Sequence, residues 1–138
     1  MAAAAVIAGL TGALAWAGQG RTLEVTVTYQ GGEVSSAHAI YLTVWDTPNM
    51  QGGALPIGAQ IVSENGGTAT FPNLTASPVY VAALYDERGG WDGLSAVPSG
   101  SPAGTYSTDG VGLPAAIDLP EGGVTTVELT FTSAFRMP

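Results

Sequence analysis

Hydrophobic and polar positions alternate along most of this chain, but not at its start. Met1 to Ala17 is one uncharged apolar run without a period of two. From Leu23 onward the pattern changes. Leu23, Val25, Val27 and Tyr29 share one face, and Glu24, Thr26 and Thr28 the other, as in a half-buried strand. Ile40, Leu42 and Val44 alternate with Tyr41, Thr43 and Trp45. Both phases are apolar there, which predicts a central strand with Trp45 in the core. Ala59 to Ser63 and Thr68 to Phe71 flank Asn65-Gly66, a hairpin signal, and Pro72 is expected to stop the second of them. Val79, Val81, Ala83 and Tyr85 alternate with Tyr80, Ala82 and Leu84. A long loop, Asp86 to Gly112, has room for a short strand near Thr105 to Ser107. Ala115 to Leu119 and Val124 to Thr132 complete the series, with Val127, Leu129 and Phe131 facing inward. About seven strands, turn signals every 8–12 residues and no internal helix predict an all-β fold, an antiparallel sandwich of two sheets. A closed barrel is the alternative.

The apolar run divides the chain into residues 1–20, a signal peptide or retained hydrophobic helix, and residues 21–138, the β-sandwich domain. As a helix, Met1 to Ala17 reaches roughly 25 Å, short of the roughly 30 Å hydrocarbon core. Ala15-Trp16-Ala17 then offers small residues at the two positions that a signal peptidase reads. No Lys or Arg precedes the run; the first positive charge is Arg21. Three readings follow: a cleaved signal, a retained helix that anchors the chain or packs inside an assembly, and a buried core helix. Either of the first two gives an exported protein, periplasmic or extracellular, with membrane contact through residues 1–17.

Charge narrows the choice of partner. Three basic residues against eleven acids give a formal charge of −8. Such a surface repels phosphate backbones, so nucleic acid is excluded as a partner. With no Cys in the chain, disulfides, thiol chemistry and a Cys-linked lipid anchor are excluded as well. Only 10% of residues are charged. The surface is therefore mostly Thr, Ser, Gly and Asn, as in secreted β-proteins and in subunits largely covered by neighbours.

Candidate chemistry concentrates in the loop after the fifth strand. Asp86, Glu87 and Asp92 lie among glycines that can turn backbone carbonyls inward, an oxygen set of the kind calcium takes. Asp46 ends its strand as Asp86 ends another, and joins the set if those two strands run in the same sense. The alternative is that these acids cap turns and stay solvated. His38 is the single histidine, too little for a zinc or copper site, and no nucleophile motif accompanies it. No catalytic residue is assigned. Three aromatics are candidates for partner binding: Trp16 at the end of the apolar run, Trp91 in the acidic loop, and Phe135 in an apolar C-terminal tail.

Three segments carry a resemblance to a known family: Phe71-Pro-Asn-Leu74, Val79-Tyr-Val-Ala-Ala-Leu-Tyr-Asp-Glu87 and Pro102-Ala-Gly-Thr-Tyr106. In order and spacing the chain resembles the transthyretin-like or carboxypeptidase-regulatory-like domains of small exported bacterial proteins. The resemblance implies an immunoglobulin- or transthyretin-like sandwich. The acidic loop is shorter here than in the fuller family pattern. Taken together, these features lead to the expectation of a non-catalytic exported module, an accessory or scaffold subunit whose partners are the protein subunits of a larger membrane-associated or extracellular assembly. A pilin-type filament subunit and a soluble periplasmic calcium-binding or ligand-binding domain are the alternatives.

Overall fold

The computed structural model describes residues 20–50, 53–107 and 113–138. The predicted N-terminal helix, with Trp16, falls outside these. Among the described residues the regular elements are seven strands. They are β1 (Arg21–Tyr29), β2 (Ile40–Trp45), β3 (Gly58–Val62), β4 (Thr68–Leu74), β5 (Tyr80–Tyr85), β6 (Ala103–Thr105) and β7 (Val124–Phe131). They form two sheets, one ordered β4-β1-β7 and the other β3-β2-β5-β6.

The alternation in the sequence becomes the interior. Leu23, Val25, Val27 and Tyr29 of β1 meet Ile40, Leu42 and Val44 of β2 and Val81, Ala83 and Tyr85 of β5 in one buried cluster. Each Val, Leu or Ile among them contributes about 1.5–3 kcal/mol by leaving water. Tyr29 and Tyr85 stack across the layers with ring centroids 4.1 Å apart. On β6, Gly104 lets the layers close: a Cβ there would stand 2.5 Å from the Cβ of Phe131 on β7.

Four expectations need correction. The sandwich is not wholly antiparallel, because β1 and β7 pair in parallel from Thr22↔Val124 to Tyr29↔Phe131. Parallel neighbours need a crossover, and the other five strands supply it. Pairing sense therefore depends on the path of the whole domain, which local alternation does not encode. Ala115 to Leu119 forms no strand; a single bridge, Val79↔Ile117, holds it while Ile117 and Leu119 fill the core. β6 at Ala103–Thr105 takes its place in the count. Asn65-Gly66 does not join paired neighbours, since β3 pairs with β2 and β4 with β1. The turn is a corner between sheets. Asn65 anchors it through two 2.8 Å hydrogen bonds, accepting from the backbone N–H of Tyr29 and donating to its carbonyl. Lastly, β4 runs through Pro72 to Leu74. It lies at a sheet edge, where a residue without an N–H breaks no ladder.

The two outer faces differ. On β1, β4 and β7 the outward positions are mainly Thr and Glu. Thr26 and Thr68 share a 2.7 Å hydroxyl contact, and Thr126 donates to Glu24. On the four-stranded sheet the rows are Trp45↔Tyr80, Thr43↔Ala82 and Tyr41↔Leu84 across the central strands. Ala59 and Ile61 of β3 extend them on one side, Ala103 and Thr105 of β6 on the other. None of these side chains is charged. Trp45, expected in the core, lies half-buried on this face with its indole N–H donated to Thr43.

Candidate functional site

The acidic loop builds one wall of a groove on this uncharged face. Asp86 follows β5 and is only 4% exposed. Its two carboxylate oxygens accept the backbone N–H of Gly89 and of Trp91, each at 3.0 Å. Gly89 and Gly90, with φ of 85° and 79°, make the tight return that these bonds need. Trp91 is thereby folded onto the sheet. The Tyr41 hydroxyl donates to its carbonyl at 2.7 Å, and the two rings meet edge to face, centroids 4.6 Å apart. The indole N–H reaches the carbonyl of Ser95. Burial pushes the Tyr41 phenol above its ordinary pKa, and the charges of Asp86 and Asp92 add to that.

Asp92 closes the next turn. One of its oxygens accepts the Leu94 N–H, the Ser95 N–H and the Ser95 hydroxyl, each at 2.8 Å. The bonds from Ser95 and Leu94 hold its carboxyl below the usual range. Between this turn and β3 lies an open groove of about 410 Å³, lined by Tyr41, Leu42, Thr43, Ala59, Gln60, Ile61, Trp91, Asp92 and Gly93. Ile61 is 58% exposed on one flank and Leu94 92% exposed on the loop tip.

The four acids predicted to share calcium do not converge. β2 and β5 run antiparallel, with Ile40 opposite Tyr85 and Trp45 opposite Tyr80. Asp46 and Asp86 therefore sit at opposite ends of the sandwich. Glu87 turns away to Arg136, 2.8 Å from its guanidinium. That bond holds the Glu87 carboxyl low and raises Arg136. Asp86 and Asp92 already accept backbone donors. Among the described residues no group of three or more His, Cys, Asp or Glu could hold a metal ion. His38 lies beside the acidic loop, its ring 3.3 Å from the carbonyl of Asp86, with no second metal-ligand partner there.

The aromatic candidates do come together. The C-terminal tail docks on the domain as a further edge of the four-stranded sheet: Pro102 and Arg136 bridge antiparallel, and the Ala103 N–H donates to the Phe135 carbonyl. That register puts Phe135 on the side of Ala103, the outer side. Phe135 is 61% exposed. One apolar row thus crosses the whole face, Ile61–Tyr41–Leu84–Ala103–Phe135, with Trp91 standing over Tyr41. Tyr41, Ile61, Tyr80 and Leu84 were not singled out from sequence as site residues. For Tyr41, Tyr80 and Leu84 the signal is apolar bulk on both phases of β2 and β5, which a strand buried on both sides shows equally; Ile61, on the short β3, carries no such signal.

The chain matches no known protein family, no curated protein and no solved structure. No helix among the described residues is long and apolar enough to cross a membrane.

Proposed function

We propose that this protein is a non-catalytic, exported β-sandwich module that serves as an accessory or scaffold subunit of a membrane-associated or extracellular assembly. One observation carries the reading: the contrast between the two outer faces. A solvated sheet face alternates apolar-in with polar-out, as β1, β4 and β7 do. The face of β3-β2-β5-β6 instead presents aromatic and aliphatic side chains without a charge, rimmed by Ile61, Leu94 and Phe135. Contiguous apolar surface of this kind marks an interaction site, and aromatic anchors in a flattened groove are what protein partners use. The partner that fits is a largely apolar protein segment: aromatic and aliphatic side chains make most of the groove, and Asp92, the one charged residue lining it, is engaged by Leu94 and Ser95. Export rests on the apolar run and its Ala15-Trp16-Ala17 end, and is supported by the transthyretin-like resemblance.

Sedimentation of native extracts tests this reading. The expected result is a particle well above the 13.8 kDa of the chain. Thr43→Glu, on the uncharged face, releases the free chain from it, and Thr28→Glu, on the opposite face, does not. A monomer in native extract, or equal loss with both variants, contradicts the proposal.

A further inference from the structure

We propose that the free edge of β7 pairs with β7 of a second copy, antiparallel about a two-fold axis at Val127, so that two three-stranded sheets join into one of six strands. This edge is separate from the face of β3-β2-β5-β6, and the pairing does not depend on the reading of that face.

The ladder with β1 leaves the edge open. Thr22 donates to the Gly123 carbonyl and Gln30 to that of Phe131. In a parallel ladder a residue bonds to the two neighbours of its opposite number, so β1 uses the odd-numbered residues of β7. Val124, Thr126, Glu128 and Thr130 turn their N–H and C=O groups the other way. β7 ends its sheet, and among the described residues no hydrogen bond from outside the sheet reaches those groups.

The other edges are interrupted or occupied. On β4, Pro72 has no N–H, and Asn73, with φ of 59°, lies where the register slips between Arg21↔Leu74 and Leu23↔Phe71. β3 has five residues, and its Gln60 side chain reaches across to the Thr70 carbonyl of β4. Beside β6 lies the C-terminal tail, bridged at Pro102↔Arg136. β7 runs for eight residues without Pro, Gly or a register shift. An edge left in that state is a template for a further strand.

The spacing of the open residues selects the occupant. Val124, Thr126, Glu128 and Thr130 are symmetric about Val127. A second copy turned about an axis there sets Thr126 opposite Glu128 and Val124 opposite Thr130, and every outward residue of both strands bonds. The charges then fit. On the outer face Glu24 stands between Thr70 and Thr126, and Glu128 beside Thr26. The row through the joint reads Thr70–Glu24–Thr126, then Glu128–Thr26–Thr68 of the second copy, with no acid next to an acid. An axis at Glu128 would oppose two carboxylates, which destabilises, and an axis at Thr126 would leave Thr130 unpaired. Inward, Val127 meets its own copy; at 9% it is the most exposed of the three buried β7 residues. A two-fold contact of this kind closes on itself. It is a strip roughly 23 Å long, so it belongs among the small, concentration-dependent interfaces.

The chain contains no Cys, so single cysteines report the register. Mixing full-length Thr126→Cys with full-length Glu128→Cys puts the two Cα atoms about 5.5 Å apart in a hydrogen-bonded pair, within the span of a disulfide. In either chain alone the two sites stand roughly 9 Å apart, beyond it. Under mild oxidation at submillimolar chain, the mixture should form the mixed disulfide dimer severalfold faster than either chain alone. Equal rates in all three, or a rate in the mixture no higher than for Thr28→Cys on the middle strand, overturn the pairing. A fast bond in one chain alone overturns the axis at Val127. Sedimentation equilibrium without cysteines gives a second measure. Thr126→Lys sets a cation between Glu24 and Glu128 of the second copy and should tighten the dimer severalfold, whereas Thr126→Glu should abolish it. A monomer throughout, or no change with either variant, contradicts the inference.

Discussion

The Asp86 carboxylate holds the backbone N–H of Trp91 at 3.0 Å, and that single bond turns a buried acid into the hinge of the apolar face. With its second oxygen on Gly89, Asp86 forms the turn that carries Trp91 back onto the sheet. Asp86→Ala leaves two N–H donors unmatched in a nearly closed site, a cost of about 1–3 kcal/mol. Urea unfolding should show that loss. Trp91 emission should shift red in the folded variant, and the shift should be absent when Trp91→Phe is added. Asp86→Asn keeps one acceptor and should fall between.

Calcium should not move the melting temperature. Glu87 is engaged by Arg136, Asp92 by Ser95 and Leu94, and Asp46 lies at the other end of the molecule. Equal midpoints in millimolar calcium and in chelator are expected. A ligand at about 100 times its Kd would raise stability by about 2.7 kcal/mol, a shift easily seen by calorimetry.

Gly104 tests the closeness of the layers. A Cβ at that position meets Phe131 at 2.5 Å, so Gly104→Ala must push β6 and β7 apart. Overpacking of this kind costs about 1–3 kcal/mol. Urea unfolding should show a lower midpoint with an unchanged slope.

Acid should loosen the tail. The Glu87 carboxyl is held low by Arg136, so its contribution is present above the unfolded pKa and is lost as pH falls through the folded one, below the ordinary glutamate range. Amide signals of Met137, which donates to the Ser101 carbonyl, and of Ala103, which donates to that of Phe135, should move through that range. With Glu87→Gln the step should vanish.

Much of this fold is legible in the sequence because burial follows the period of two. Leu23 to Tyr29 and Val127 to Phe131 face inward as their spacing predicts. What local pattern does not carry is which strand lies beside which. The parallel pairing of β1 with β7, the Asn65-Gly66 corner and the separation of Asp46 from Asp86 are all consequences of topology. The site was half visible for a related reason. Tyr41, Thr43 and Trp45 are apolar or uncharged opposite an apolar inner phase, which looks the same whether the second face is covered within the domain or by something outside it. Phe135 and Trp91 stood out as aromatics in loops, but only the tail bridge and the Asp86 turn reveal that both belong to one surface.

The proposed function requires the face of β3-β2-β5-β6 to be covered in the native assembly. Hydroxyl-radical footprinting of the native assembly against the isolated chain from Gly20 onward tests it most directly. Oxidation at Trp45, Tyr80, Ile61 and Phe135 should drop severalfold in the assembly, while Val124, exposed on the Thr/Glu face, reacts equally in both. Unchanged reactivity at those four aromatic and aliphatic side chains, or protection confined to Val124, would contradict it.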